Sequence, residues 1–396
     1  MRNEPAQVAV ADPVRLSELA RRYIGEKDSL RLLPGNRVTL LRDGVDAFPE
    51  MLAAIRGARK RVRLETYIFM DDALGQLFAR ALVEAAERGV RVTVLYDAFG
   101  SWKAKGSFFR AMRKRGVDVH AFRPLSISQG WRRLVQRDHR KLLVVDGEIA
   151  FVGGINIAAE WAPRHHPGGD GWRDDALRVE GPAAAQLERR FCASWRVAVQ
   201  ERLRAWRNRA IVSPATVRGD LSVGILTSRR SIHRAYLHAI MAATRTVMIA
   251  AGYFIPDRKL MHALQSAAKR GVNVGLILAG KSDHPFVTWA TRGFYGRLLE
   301  SGVKIYEWCD AVLHAKTAVV DGTWATIGSF NLDRMSFFYN HEVNVVFADP
   351  RYAKPLEDSF LNDSHVCCEI TLAQWKKRPW WKRALERLAY SFRKIL

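Results

Sequence analysis

Two stretches of the chain carry the same chemistry-bearing side chains at the same intervals. His139, Lys141, Asp146, Gly153, Gly154 and Asn156 form one copy, and His314, Lys316, Asp321, Gly328, Ser329 and Asn331 the other. In both, H-x-K-x4-D is followed after six residues by G-[GS]-x-N. Side chains on a strand alternate faces, so a His and a Lys two apart point the same way. Brought together, two imidazoles can divide a displacement at phosphorus: one attacks the phosphorus atom while the other protonates the departing oxygen. Lys141, Lys316, Asn156 and Asn331 would hold the phosphate oxygens through the transition state, with Gly154 and Ser329 supporting them. Asp146 and Asp321 complete the catalytic motif but stand an odd number of residues from their His. They are expected off the catalytic face, in a structural role. A plainer reading, core histidines and turn aspartates on two ordinary strands, accounts for one copy but poorly for two with equal spacing. Two half-sites suggest one centre across a pseudo-twofold axis.

The elements that must position these residues repeat as well. Leu142 to Val145 and Thr317 to Val320 read as buried strands, closed by Asp-Gly turns at Asp146-Gly147 and Asp321-Gly322. Residues 81–90 match residues 263–272, each a helix that ends at a glycine and leads into a strand. Val62 to Phe69 and Val247 to Phe254 are both β-rich and each contains a Tyr, and Arg115-Gly116-Val117 parallels Ser301-Gly302-Val303. Strands alternating with helices, in the same order twice, predict two α/β halves that arose by duplication.

On these motifs the chain resembles the phospholipase D superfamily over roughly residues 34 to 365. The stretch His139 to Trp161 looks most like the bacterial cardiolipin synthases, in particular the shorter B type without N-terminal transmembrane helices. The resemblance implies two tandem phospholipase D-like α/β/α sandwich domains, related by pseudo-twofold symmetry, with the active site at their interface. The expected division is 1–33 as a helical extension, 34–213 and 214–370 as the domains, and 371–396 as a tail. It also implies a phosphohistidine intermediate on His139, with His314 as general acid and then base. After each motif the family places a carboxylate that orients the histidine. Asp174 and Glu342 stand in roughly corresponding positions, and Asp175 competes for the first role. The implied reaction is phosphatidyl transfer between two phosphatidylglycerol molecules, giving cardiolipin and glycerol without a metal or other cofactor. Hydrolysis, phosphatidylethanolamine as donor, nuclease activity and an inactive membrane scaffold are the alternatives.

Composition fits a membrane-surface enzyme. The net charge of +23 attracts phosphate-bearing partners. Apolar residues make up 48% of the 396, which excludes a mainly disordered chain. No stretch approaches the roughly 18 apolar residues of a spanning helix, and the first residues lack a signal-peptide core, so a place on the cytoplasmic side of the membrane is expected. Cys192, Cys309, Cys367 and Cys368 have no zinc-like spacing and read as reduced thiols. From Gln374 to Leu396, eight Lys or Arg residues stand against Glu386 alone. After Pro379, Trp381, Ala384, Leu385, Leu388, Ala389, Phe392, Ile395 and Leu396 fall on one helical face, which predicts an interfacial anchor led by Trp380, Trp381, Lys382 and Arg383. The partner this implies is an anionic phospholipid membrane containing phosphatidylglycerol and cardiolipin; nucleic acid is not expected. Oligomeric state is not readable. Trp131 to Arg133, Trp161 to His166, and Phe286, Trp289 and Arg292 are candidates to line a headgroup cleft, with ordinary rim packing the preferred reading for each one singly. Asp97, Gly100, Ser101, Gly280 and Ser282 follow strands where ligand loops collect. A packing helix is expected over Pro13–Tyr23, a long helix over Pro182–Arg207, and the boundary between halves near Asn208–Gly219.

Overall fold

The computed structural model describes residues 32–124, 135–199 and 216–392. The expected helix at Pro13–Tyr23, the rim residues Trp131 to Arg133 and most of the expected boundary lie outside these. The long helix is described as Pro182–Ala198.

Among the described residues, fifteen strands follow one another in two matching series. The first is β1 Leu33–Arg42, β2 Arg61–Thr66, β3 Arg91–Asp97, β4 Asp118–Phe122, β5 Leu142–Val145, β6 Ile149–Gly153 and β7 Asp175–Glu180. The second is β8 Leu221–Leu226, β9 Thr246–Ala251, β10 Asn273–Ala279, β11 Lys304–Trp308, β12 Lys316–Val320, β13 Trp324–Gly328 and β14 Asn344–Ala348, with β15 Cys368–Ile370 added at the edge. Across the first half the order is β1-β7-β6-β5-β2-β3-β4, and across the second it is β8-β14-β13-β12-β9-β10-β11. The second order is the first shifted by seven strands, which is the duplication in three dimensions. β2, β3 and β4 are parallel, as are β9, β10 and β11, and helices cross between them as parallel pairing requires. The crossover helices Ala73–Glu87 and Arg258–Lys269 begin alike, with Asp72 and Asp257 side chains accepting from Gly75 N and Leu260 N. They end alike at Gly89 and Gly271, whose φ of +86° and +87° only glycine adopts freely.

The two halves share a core. In β5, Leu143 and Val145 pack among the helices of their own half. Leu142 and Val144 turn to the other face and meet Val319, Ala325, Ile327 and Val343 of the second half. Burying each such side chain is worth about 1.5–3 kcal/mol, so the halves part only by exposing this common layer. Antiparallel pairing of β1 with β8 joins the two sheets edge to edge.

Candidate active site

The segment that leads into each histidine pairs with backbone from the opposite half. His139 N donates to His341 O at 3.0 Å and His341 N to Arg137 O at 2.8 Å. In the related place, His314 N donates to Arg173 O at 2.7 Å and Arg173 N to Val312 O at 2.9 Å. Each of these bridges sets an imidazole beside the carboxylate that follows the other motif. His139 Nδ1 lies 3.1 Å from Glu342 Oε1, and His314 Nδ1 lies 2.6 Å from Asp174 Oδ2. The supports therefore cross between halves, an exchange the sequence alone does not announce. With Nδ1 held by an acceptor, Nε2 of each ring is left for substrate. Asp175, the competing candidate, accepts from Arg173 instead, at 2.7 Å.

Lys141 and Lys316 are both buried, and each ammonium donates to the carbonyl of its own motif histidine. Neither has a carboxylate within ion-pair distance among the described residues. Burial, and then the Lys316 charge, hold Lys141 well below the ordinary lysine value. Lys316 is lowered by burial. Burial and Lys141 likewise lower His139, while burial and both lysines hold His314 well below the histidine range. His139 also acts on His314, so the two motifs form one electrostatic site. Burial raises the Asp174 carboxyl; for Glu342 the His139 ring and its hydrogen bond overcome burial and lower it. A bound anion would offset both ammonium groups and favour a proton on one imidazole.

The two carboxylates are held by different donors. Ser329 Oγ donates to Glu342 Oε2 at 2.5 Å and Ser336 Oγ to Oε1 at 2.7 Å. Asp174 Oδ2 accepts from Trp161 Nε1 at 2.9 Å, and Oδ1 from Asp175 N at 2.9 Å. Gly154 occupies the place that Ser329 has in the other half because a Cβ there would lie 2.1 Å from Asp174 Oδ1. Trp161 is thus a buried support for a carboxylate, not the rim residue expected from its basic neighbourhood. Asn156 accepts from Ile68 N at 3.0 Å through Oδ1, which leaves its NH2 as the donor end. Asn331 Oδ1 is buried without a hydrogen-bond partner among the described residues. Sequence reasoning passed over Ser336 and gave no role to the two repeat tyrosines. Tyr67 meets the His139 ring edge-on at 5.0 Å, and Tyr253 meets His314 at 5.9 Å. Their matching places just after β2 and β9 were the signal that could have found them.

Asp146 and Asp321 lie in the turns after β5 and β12, both with left-handed φ near 55°. Asp146 accepts from the backbone of Arg59, Lys60 and Arg61, and Asp321 from that of Thr244, Arg245 and Thr246. Neither carboxylate bonds an imidazole. Asp97, expected in a ligand loop, is fully buried and accepts from Asp138 N at 2.9 Å, fixing the residue before His139. Burial raises its carboxyl to about 7. Arg292 is tied to Glu307 by two bonds, whereas Phe286 and Trp289 are exposed.

The tail forms a helix over Trp380–Ser391. It does not present all of its expected apolar face to the outside: Ala389 is buried, with Glu386, against the helix Pro285–Glu300. Tyr390 fills the space over Gly293, where a Cβ would come within 2.7 Å. Trp381, Leu385 and Leu388 remain exposed on the far side, next to Lys382, Arg383 and Arg387, and Phe392, also exposed, meets Phe286 of the helix Pro285–Glu300. Arg393, Lys394, Ile395 and Leu396 lie outside the described residues.

The sequence matches the family described as "Cardiolipin synthase, PLD-like domain" over residues 51–195 and 236–364. It is 36% identical over 369 residues to a cardiolipin synthase of Listeria innocua, covering 91% of this chain and 76% of that protein. It is 34% identical over 366 residues to the major cardiolipin synthase ClsA of Bacillus subtilis, with the same coverage. Among solved structures it is similar to the phosphatidylserine synthase of Haemophilus influenzae, with a TM-score of 0.68 and 14% identity over 96% of this chain and 98% of that one. That likeness is one of fold. The sequence matches carry more: the chain belongs to the PLD-like cardiolipin synthase family of phosphatidyltransferases.

Proposed function

We propose that the protein joins two phosphatidylglycerol molecules into cardiolipin, releasing glycerol. The observation that carries this reading is the crossed pair of carboxylate-held imidazoles beside two buried ammonium groups that have no carboxylate of their own among the described residues. His139 Nε2 attacks the phosphorus of the first lipid, the bond to its headgroup glycerol breaks, and a proton from His314 Nε2 goes to the leaving oxygen. This leaves phosphatidyl-His139 and a neutral His314. A headgroup hydroxyl of the second phosphatidylglycerol then gives its proton to His314 as its oxygen attacks phosphorus, and the P–N bond breaks. Lys141 and Lys316, with Asn156 and Asn331, hold the phosphate oxygens as charge develops. Water in place of the second alcohol would give phosphatidic acid, so exclusion of water separates synthase from hydrolase.

The protein works at a membrane, and we place it there as a peripheral enzyme on the cytoplasmic side. No described helix is long and apolar enough to cross a bilayer. The exposed Trp381, Leu385, Leu388 and Phe392 stripe, flanked by cations, supports an interfacial role for the tail.

Purified protein mixed with phosphatidylglycerol vesicles, with no divalent metal, is expected to release cardiolipin and glycerol. His139→Ala and His314→Ala are each expected to abolish both. Phosphatidic acid as the main lipid product, or activity lost to a chelator, would overturn the proposal.

A further inference from the structure

Two loops at matching places in the duplicated fold expose aromatic side chains. After β3, residues 98–105 leave Phe99 51% and Trp102 65% exposed. After β10, the counterpart of β3, a loop over residues 280–284 runs into the helix Pro285–Glu300, whose first turns leave Phe286 and Trp289 37% and 38% exposed. Each loop is fastened to the tyrosine beside its imidazole. In the first half, Ser101 Oγ donates to Tyr67 O at 3.2 Å, and Gly100 packs so closely on that carbonyl that a Cβ would lie 2.3 Å from it. In the second, Tyr253 OH donates to Asp283 Oδ1 at 2.5 Å. The two loops, though not the aromatic side chains themselves, are therefore each one tyrosine away from His139 and His314. The tail joins the second loop, where the Phe392 ring meets Phe286 at 5.7 Å.

Large aromatic side chains left in water near one another mark a surface that a partner covers. The charges name the partner. Residues 98–105 and 280–289 contain Lys103, Lys105 and Lys281 against Asp283 alone, and Asp283 is engaged by Tyr253. Lys103 Nζ stands 5.8 Å from the Trp102 ring, so cation and aromatic are presented together. Tryptophan beside lysine suits the headgroup layer of an anionic bilayer, where the indole is half-wet and the ammonium meets phosphate.

We propose that these two loops, with the first turns of the helix Pro285–Glu300 and Phe392 of the tail, seat the protein on an anionic phospholipid bilayer and turn the catalytic pair toward it. The surface rests on the phosphatidyltransferase reading for its purpose, but its test reads binding, not turnover. In a His139→Ala background, flotation with vesicles of equal phosphatidylglycerol and phosphatidylcholine measures partition directly. Phe99→Ser/Trp102→Ser and Phe286→Ser/Trp289→Ser are each expected to weaken partition by about tenfold. Met241→Ser, which removes an apolar side chain 66% exposed in a different helix, is expected to leave it unchanged. Melting curves matching the parent show that the variants are folded. Loop variants that float like the parent, or equal loss in Met241→Ser, would overturn the surface. Parent protein that binds vesicles through these loops yet makes no cardiolipin would sink the reaction and leave the surface standing.

Discussion

Glu342 and His139 are 203 residues apart in sequence and 3.1 Å apart in space. The carboxylate fixes the tautomer of a ring that belongs to the other half of the molecule, and two serine hydroxyls fix the carboxylate. Such a partner sets the direction of the free Nε2 and raises its basicity.

Glu342→Gln keeps the shape and removes the charge. Cardiolipin formation is expected to fall by roughly 10²–10⁴-fold, in kcat more than in KM, with an unchanged melting curve. Activity within a factor of about three of the parent would mean that the carboxylate only fills space.

Gly154 and Ser329 hold equivalent places but are not interchangeable. Gly154→Ala puts a methyl group 2.1 Å from Asp174 Oδ1 and is expected to cost at least about tenfold in kcat by displacing the support of His314. Ser329→Gly removes one hydrogen bond to Glu342, which Ser336 still holds, and is expected to cost about threefold or less. Steady-state assays of the two variants side by side decide it; equal losses would contradict the asymmetry.

Asp321 is expected to act on stability. Asp321→Ala strands the backbone donors of Thr244, Arg245 and Thr246, at a position where φ is +54°. The expected loss is about 3 kcal/mol, seen as a lower denaturation midpoint. Asp321→Asn, which tolerates that φ and keeps one acceptor oxygen, is expected to lose less. A variant of normal stability but no activity would place Asp321 in the chemistry.

Acidity gives a fourth test. Transfer needs one imidazolium, and burial with the two lysines lowers both histidines in the empty site. The needed proton is lost as pH rises through those lowered values. With a short-chain monomeric substrate, kcat/KM should therefore fall on an alkaline limb below about 6.5, the ordinary histidine value. Bound phosphodiester opposes the lysine charges, so the limb in kcat should sit at higher pH. A kcat/KM limb above that of kcat would contradict the charge argument.

The motif residues were legible because an i, i+2 pair on a buried strand needs only local geometry, and the repeat of Gly89 and Gly271 marked matching helix ends. The exchange of Asp174 and Glu342 between halves was not legible, since it depends on how two sheets face each other and no local pattern encodes that. Trp161 was misread for a related reason: an indole among basic residues looks like a rim until its N–H is seen on Asp174. The tail periodicity gave two faces but not which one docks. Glu386, the sole acid there, turned inward to Arg378 at 2.7 Å.

The backbone bridges Asp138–His341 and Arg173–Leu313 bear on how lipid gets in and out. Swinging the lobes apart like a clamshell would tear each reactive ring from its carboxylate and unzip both stitches at once. Entry of two bulky two-chain molecules in turn and exit of a four-chain product must then be managed around a frame that stays shut, by peripheral segments alone.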